Sequence, residues 1–197
     1  MTARKFSLGF TLVELLIVIA LLGVLAAAVL AAINPLEQAN RARDTRMRSD
    51  ASQLLAAIDR YFVARDQFPW VTSGDVANND SAYGFINAKD DGVGICSTAN
   101  GCSDDGNLIT NNELKTEFRN RDFIKAADSD FANLLYIAKG TGASSPVYAC
   151  FIPASKSERA KATRTISLGS PTLGTVTDCA TRTYDSLGNS CLSCLPQ

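Results

Sequence analysis

The sequence has 197 residues, 46% of them hydrophobic, and a formal net charge of −1. This near-neutral balance disfavours a protein that coats nucleic acid, which needs a strongly basic surface. The sequence contains no histidine. The commonest general base and the commonest metal ligand are therefore both missing, and hydrolase and zinc-enzyme functions are disfavoured.

The first predicted element is an apolar segment from Phe10 to Ile33, in which only Thr11 and Glu14 lie outside the apolar and glycine set. About 24 helical residues span roughly 36 Å, which is enough to cross a bilayer. The preceding Arg4 and Lys5 fit either a secretory signal peptide or a signal anchor. Neither alternative explains Glu14, because a carboxylate near the centre of a span costs about 2.5–3.5 kcal/mol and somewhat less near an end.

A cut between Gly9 and Phe10 supplies Glu14 with a partner. It removes the leader MTARKFSLG and leaves a free amino group on Phe10, one helical turn from Glu14. The amine of a neighbouring subunit also reaches this carboxylate if the helices stack in a staggered bundle. Since breaking such a pair in low dielectric costs about 3–5 kcal/mol, we predict that Glu14 fixes the register of an assembly.

The stretch G-FTLVELLIVIALLGVLAA resembles the class III signal peptide of type IV pilins and the related pseudopilins. The resemblance rests on Gly9, Phe10, Glu14, the short basic leader and the apolar run, and it covers about the first 30 residues. It implies that a prepilin peptidase cleaves after Gly9 and that Phe10 becomes the N-methylated N-terminus. It also implies that Glu14 pairs with the Phe10 amine of an adjacent subunit.

The resemblance bears on helix flexibility as well. Gly23 lies where many family members have a helix-weakening glycine. Many members also carry a proline at the position of Ala31, whereas the next proline in this chain is Pro35. The place of any bend therefore stays open between these positions.

Residues 34–68 continue in a helical pattern and form the second half of one long helix, from Phe10 to about Arg65, with any bend near Asn34-Pro35. The Phe68-Pro69 step ends it, because a residue before proline avoids the α region. Four arginines interleave with aspartates, which favours a solvated face with salt bridges over a patch for lipid headgroups or DNA. The arginines are Arg41, Arg43, Arg46 and Arg48; the apolar stripe comprises Met47, Ala51, Leu54, Leu55, Ile58, Tyr61 and Phe62.

Residues 69–197 are predicted to form a globular head. Its first part is rich in Gly, Asn, Asp and Ser, so we expect a long connecting region with turns and a short helix at about 112–120. Two apolar runs, 133–140 and 146–154, predict a β-hairpin, and the runs 163–169 and 174–177 are weaker strand candidates. Three or four antiparallel strands covering the helix stripe give an α+β fold.

All six cysteines lie in this head, and an even number in one region is typical of disulfides in an oxidising compartment. The C-x-x-C pair near the C-terminus also has zinc-ligand or redox spacing, but without histidine we favour disulfides. A cysteine-stapled C-terminal region is also common among pilins. We prefer Cys96–Cys102 and leave open the two bridges among Cys150, Cys179, Cys191 and Cys194.

Two polar features carry weak signals. The acidic clusters Asp90-Asp91 and Asp104-Asp105-Gly106-Asn107 favour solvated turns over calcium binding, because they lack the spaced ligand series of a known loop. Asn79-Asp80-Ser81 is a formal glycosylation sequon. Because the acidic clusters lack that series and the sequence has no histidine, we expect neither a metal nor a cofactor.

The predicted organisation is a cleaved leader (1–9), a transmembrane and assembly helix (10–33), its amphipathic continuation (34–68) and the head (69–197). The resemblance implies a non-enzymatic filament subunit whose partners are a prepilin peptidase, other copies of itself and related pilins, and inner-membrane assembly machinery. Nucleic acid enters only as a ligand of the filament. The precursor is expected to span the inner membrane once, with a periplasmic head, before reaching the pilus and cell surface. The alternatives are a type II secretion pseudopilin and a membrane-anchored periplasmic binding or redox module.

Overall fold

The computed structural model separates the chain into two compact units, Met1–Gln38 and Ala39–Gln197. The first contains the apolar helix, and the second contains both sheets and all the cysteines. The residues that the structure describes are 9–32, 34–71, 79–97, 102–162, 164–166, 173–176, 178–184 and 187–196.

The predicted long N-terminal helix is confirmed, and it comprises two segments, α1 (Leu12–Ala32) and α2 (Pro35–Arg65), which meet near the predicted position of the bend. Pro35 opens α2 because it lacks the N–H and fits the first helical position, whereas inside a helix its ring would clash with an earlier carbonyl. Asn34 caps α2, since its Oδ1 accepts a hydrogen bond of 3.2 Å from the Glu37 N–H. α2 ends at Arg65, as predicted, and Asp66 follows in the left-handed region with φ of 54°.

One stripe of α2 packs into the main core of the second unit. Its fully buried members include Leu54 and Ile58, which share a cluster with Ile137 and Phe151 of the sheet. Two residues assigned to the stripe from the sequence, Leu55 and Phe62, are only partly buried against the same cluster. The predicted stripe therefore lies on the correct face of α2, but its fully buried part is narrower than predicted.

The main sheet is antiparallel, with the strand order β1-β2-β3-β6. The predicted hairpin is confirmed by β2 and β3, whose register runs from Leu135 opposite Phe151 to Lys139 opposite Val147. The two weaker candidates, β4 and β5, pair with each other in a separate two-stranded sheet. The strands are β1 (Tyr83–Asn87), β2 (Leu135–Lys139), β3 (Val147–Phe151), β4 (Arg164–Ile166), β5 (Leu173–Thr175) and β6 (Ser193–Leu195).

Two sequence assignments in this unit are wrong, and one strand was not predicted. β1 lies within the region predicted to consist mainly of turns, and β6 lies in the tail, for which the sequence analysis named no strand. The helix predicted at 112–120 is a 3-10 turn at Thr116–Asn120, and the short helix α3 instead occupies Asn107–Thr110. The unit also contains two further one-turn helices, α4 (Asp122–Lys125) and α5 (Lys156–Arg159).

Three disulfides staple the second unit: Cys96–Cys102, Cys150–Cys194 and Cys179–Cys191. The preferred Cys96–Cys102 bridge is confirmed. Cys150 and Cys194 lie directly opposite each other in the register of β3 and β6, so this bridge holds the last strand on the sheet. Cys191 and Cys194 bond to different partners, so their C-x-x-C spacing does not form a dithiol pair.

Candidate functional site: the start of the apolar helix

Gly9 and Phe10, the two residues on either side of the expected cut, lie just before α1 and are exposed. A Cβ added to Gly9 would meet nothing within 4 Å. The fold of this unit therefore does not require glycine at that position. Phe10 is also free of the fold, since 82% of its surface is accessible.

Thr11 and Glu14 form a reciprocal cap on the first turn of α1. The Glu14 Oε2 accepts hydrogen bonds from the Thr11 N–H at 2.9 Å and from the Thr11 Oγ1 at 2.7 Å. In return, the Glu14 N–H donates to the Thr11 Oγ1 at 3.2 Å. This is a capping box, which satisfies two backbone donors that the first turn of a helix otherwise leaves unpaired. The T-L-V-E spacing of the sequence carries the signal, and our sequence reasoning did not use it.

The cap holds the Glu14 carboxylate at the N-terminal end of α1, beside the backbone of residue 11. Negative charge is favoured there, because the aligned peptide dipoles give a helix N-terminus a partial positive charge. Glu14 thus has a local partner in the uncut chain, in addition to the amine that a cut at Phe10 would create. The described residues include no neighbouring subunit, so pairing between subunits stays a prediction.

α1 is long and apolar enough to cross a membrane. Leu12–Leu30 has a mean hydropathy of 2.9, and none of this stretch is buried within the chain. A helix that is apolar on all sides and leaves its side chains exposed needs lipid or other helices around it. Gly23 does not interrupt α1, and a Cβ added to it would meet nothing within 4 Å.

Two arginines of α2, Arg43 and Arg48, bind other segments of the second unit, which corrects the prediction of a solvated face at these positions. Arg43 donates through Nη2 to the carbonyls of Ala132 and Ile152 and is half-buried, which lowers the pKa of its guanidinium. Arg48 forms an ion pair with Glu158, and its Nη2 also donates to the Ser193 Oγ at 3.2 Å.

The other two arginines agree with the prediction of a solvated face. Arg46 has an exposed side chain and pairs with Asp122 at 3.6 Å, and Arg41 is exposed. One of the interleaved aspartates, Asp44, also serves the packing of α2. The Asp44 carboxylate is buried and accepts hydrogen bonds from the backbone N–H groups of Ala154 and Ser155, at distances of 2.8–3.1 Å. Asp50 is also buried and lies 3.5 Å from Arg121.

The acidic turns were considered as possible calcium ligands from the sequence, and their described residues lie beside one cavity. Asp90, Asp91 and Asp105 line one cavity of about 510 Å³ together with Trp70 and Tyr83. No group of three or more described His, Cys, Asp or Glu side chains is arranged to hold a metal ion. The Asn79 side chain of the sequon is buried and bonds to the backbone of Asp66 and Phe68.

Comparison with known proteins gives one finding. A model of the prokaryotic N-terminal methylation motif matches residues 4–30, which include Gly9, Phe10 and Glu14 and overlap most of α1. Comparisons with curated proteins and with solved structures gave no significant match. The chain therefore carries the prokaryotic N-terminal methylation motif, a class III signal on an apolar helix, and its architecture is consistent with a type IV pilin-like protein.

Proposed function

We propose that the chain is a structural subunit, a pilin, of a type IV pilus-like filament and that it acts by assembly rather than by catalysis. The proposal rests on the structure of the first unit. Apart from Glu14, the described surface of α1 is apolar and exposed, and this single carboxylate of the membrane-length stretch is held at the end that follows the methylation-motif glycine. Such a helix is suited to lie in lipid first and among copies of itself afterwards.

Processing would begin with hydrolysis of the Gly9–Phe10 peptide bond by a prepilin peptidase. Water adds across this bond, so that the leader leaves with a new carboxyl group on Gly9 and the mature chain begins with an amine on Phe10. The open space around Gly9 supports this step, because the need for glycine then arises in the peptidase rather than in the fold. The new amine would then be N-methylated.

Assembly would use the charge that the cut creates. The Phe10 ammonium of one subunit and the Glu14 carboxylate of its neighbour attract each other strongly in a helix bundle that excludes water. Loss of one partner would leave the other charge buried without compensation, which destabilises the assembly by about 3–5 kcal/mol. The capping box already orders Glu14 toward the amino end of the helix. The pair would therefore set the axial register between neighbouring helices.

The three disulfides of the second unit support exposure outside the cytoplasm, since such bonds persist in oxidising compartments. The precursor would thus span the inner membrane through α1, with its second unit in the periplasm, and the filament would reach the cell surface. Disulfide stapling favours a surface pilin over a secretion pseudopilin. A redox module is disfavoured, because Cys191 and Cys194 bond to different partners.

The test is to express the full chain with a prepilin peptidase and the assembly machinery, and to analyse the product by mass spectrometry and the sheared filament fraction by electron microscopy. We expect an N-terminus at Phe10 carrying a methyl group, and filaments that contain the chain. Glu14→Ala should abolish incorporation, whereas Glu117→Ala, which removes an exposed carboxylate of the second unit, should not. An intact Met1, an N-terminus near Ile33, or normal incorporation of the Glu14→Ala variant would refute the proposal.

A further inference from the structure

A small cavity in the second unit is lined by three cationic side chains, Lys89, Arg119 and Lys125. Its volume is about 330 Å³, and the remaining lining residues are an asparagine and apolar or small residues, with no carboxylate among them. We refer to it as the Lys125 cavity. Cations from three separate points of the chain converge there, since Lys89 follows β1, Arg119 belongs to the 3-10 turn and Lys125 ends α4.

Among the residues that the structure describes, the three cations retain hydrogen-bond donors without a partner. The Lys89 Nζ donates to the Ala126 carbonyl at 2.9 Å and pairs with Asp128 at 2.7 Å, which leaves one of its three N–H groups. Arg119 Nη1 lies 2.9 Å from Asp105 Oδ1. Within the described parts of the chain, its guanidinium takes part in no hydrogen bond, and the Lys125 ammonium has neither a hydrogen bond nor an ion pair.

The walls of the cavity are fixed before any ligand arrives. Cys102 lines it and is tied to Cys96 by a disulfide. The segment that carries Arg119 and Lys125 is held by Phe118 and Phe123, which are buried and make an edge-to-face contact at 5.9 Å. A ligand therefore meets cations whose backbone is already ordered, which reduces the entropy lost on binding.

The electrostatic balance favours an anion. Asp128 and Asp105 compensate two of the three cations, so the group retains a net charge of about +1 by simple pairing. The side chains of Lys89 and Arg119 are only 16% and 25% exposed, so water screens their charges less than it screens those of open surface residues. Ammonium and guanidinium groups from three side chains that line one cavity suit an anion with several acceptor oxygens, such as a phosphate group.

We propose that the Lys125 cavity binds a phosphate-type anion. The phosphate could be free in solution or belong to a lipid headgroup.

The first arm of the test uses the full chain in neutral detergent micelles and inorganic phosphate, followed by isothermal titration calorimetry. We expect binding that Lys125→Gln weakens about tenfold, because the variant loses one charge-assisted hydrogen bond to the anion. Lys161→Gln is the matched control, since it removes the same charge from an exposed lysine elsewhere in the unit. Lys125 is itself exposed, and unchanged circular dichroism would show that its variant folds.

The second arm places the full chain in nanodiscs of phosphatidylcholine with and without phosphatidylglycerol, and native mass spectrometry counts the lipids retained on release. Preferential retention of phosphatidylglycerol that is lost in Lys125→Gln but not in Lys161→Gln supports the site with a lipid source. Binding of inorganic phosphate alone, with the same dependence on Lys125, supports it with a free source. Absence of both, or equal behaviour of the two variants in both arms, overturns the proposal and leaves the filament function unaffected.

Discussion

Removal of the Asp44 carboxylate should weaken the attachment of α2 to the rest of the second unit. Asp44 lies on α2, is 4% exposed, and accepts from the Ala154 N–H at 2.9 and 3.1 Å and from the Ser155 N–H at 2.8 Å. Ser155 is 1% exposed and also caps α5, since its Oγ accepts from the Glu158 N–H. Asp44→Ala therefore leaves one fully buried and one partly buried backbone donor without a partner.

The magnitude follows from these two donors. A buried polar group deprived of its partner costs about 1–3 kcal/mol. Loss of the partner of both N–H groups should therefore lower the free energy of unfolding by about 2–5 kcal/mol. The upper bound is smaller than the sum for two fully buried groups, because Ala154 is only partly buried. For a domain of this size, 1 kcal/mol lowers the unfolding midpoint by about 2–4 °C. We expect Asp44→Ala to lower the Tm by about 4–20 °C, out of a total stability of about 5–15 kcal/mol.

Thermal unfolding of the full chain in micelles, under non-reducing conditions, measures this loss by near-ultraviolet circular dichroism. The reporter is Trp70, which stacks between Phe68 at 4.8 Å and Tyr83 at 4.3 Å. Asp59→Ala is the control, because it makes the same change on an exposed face of α2 and so has the same effect on helix propensity. If Asp44→Ala unfolds at the same temperature as Asp59→Ala, the assigned role of the Asp44 hydrogen bonds is wrong.

Two other predictions concern the stability of the same unit. Burial raises the pKa of the Asp50 carboxyl above its usual 3.8, against the opposing effect of Arg121. The ionised form thus destabilises the fold at neutral pH, and this penalty disappears as the pH falls below 3.8. Asp50→Asn should therefore raise the Tm at pH 7 and lose that gain near pH 3, and a gain that is independent of pH would contradict the assignment. A disulfide restricts the unfolded chain more when it closes a longer loop. Loss of the Cys150–Cys194 bridge, with a sequence separation of 44, should therefore lower the stability by about 4 kcal/mol. Loss of the Cys96–Cys102 bridge, with a separation of 6, should lower it by about 2 kcal/mol. Denaturant unfolding of the two double-alanine variants should show this order, and the reverse order would refute it.

The first unit could be predicted almost completely from the sequence, because its structure depends on neighbours along the chain. An apolar run of this length forms a helix whatever lies beyond it, and the capping box joins residues only three positions apart. The boundary between α1 and α2 at Asn34-Pro35 is also local, since proline itself terminates the hydrogen-bond ladder. The β2–β3 hairpin was predictable for a similar reason, because its strands are adjacent in the chain.

The second unit shows where the sequence is insufficient. β1 pairs with β2 about 50 residues further on, and β6 joins β3 from the far end of the chain. Neither pairing leaves a local periodic signal in short segments rich in turn residues. Arg43 and Arg48 resembled solvated charges in the sequence, because interleaved signs are the usual pattern of an exposed helix face. Their partners, the Ile152 carbonyl and Glu158, lie more than 100 residues away.

The sequence by itself determined the membrane-length helix, the methylation motif and the placement of Glu14 one turn after Phe10, because each is a pattern of residues that are close together in the chain. Only the tertiary structure decided which cysteines pair, which charges of α2 are buried, and that Lys89, Arg119 and Lys125 surround one cavity. These properties depend on contacts between segments that are distant in the chain. Such contacts form only when the hydrophobic stripe of α2 and the sheet close around a common core.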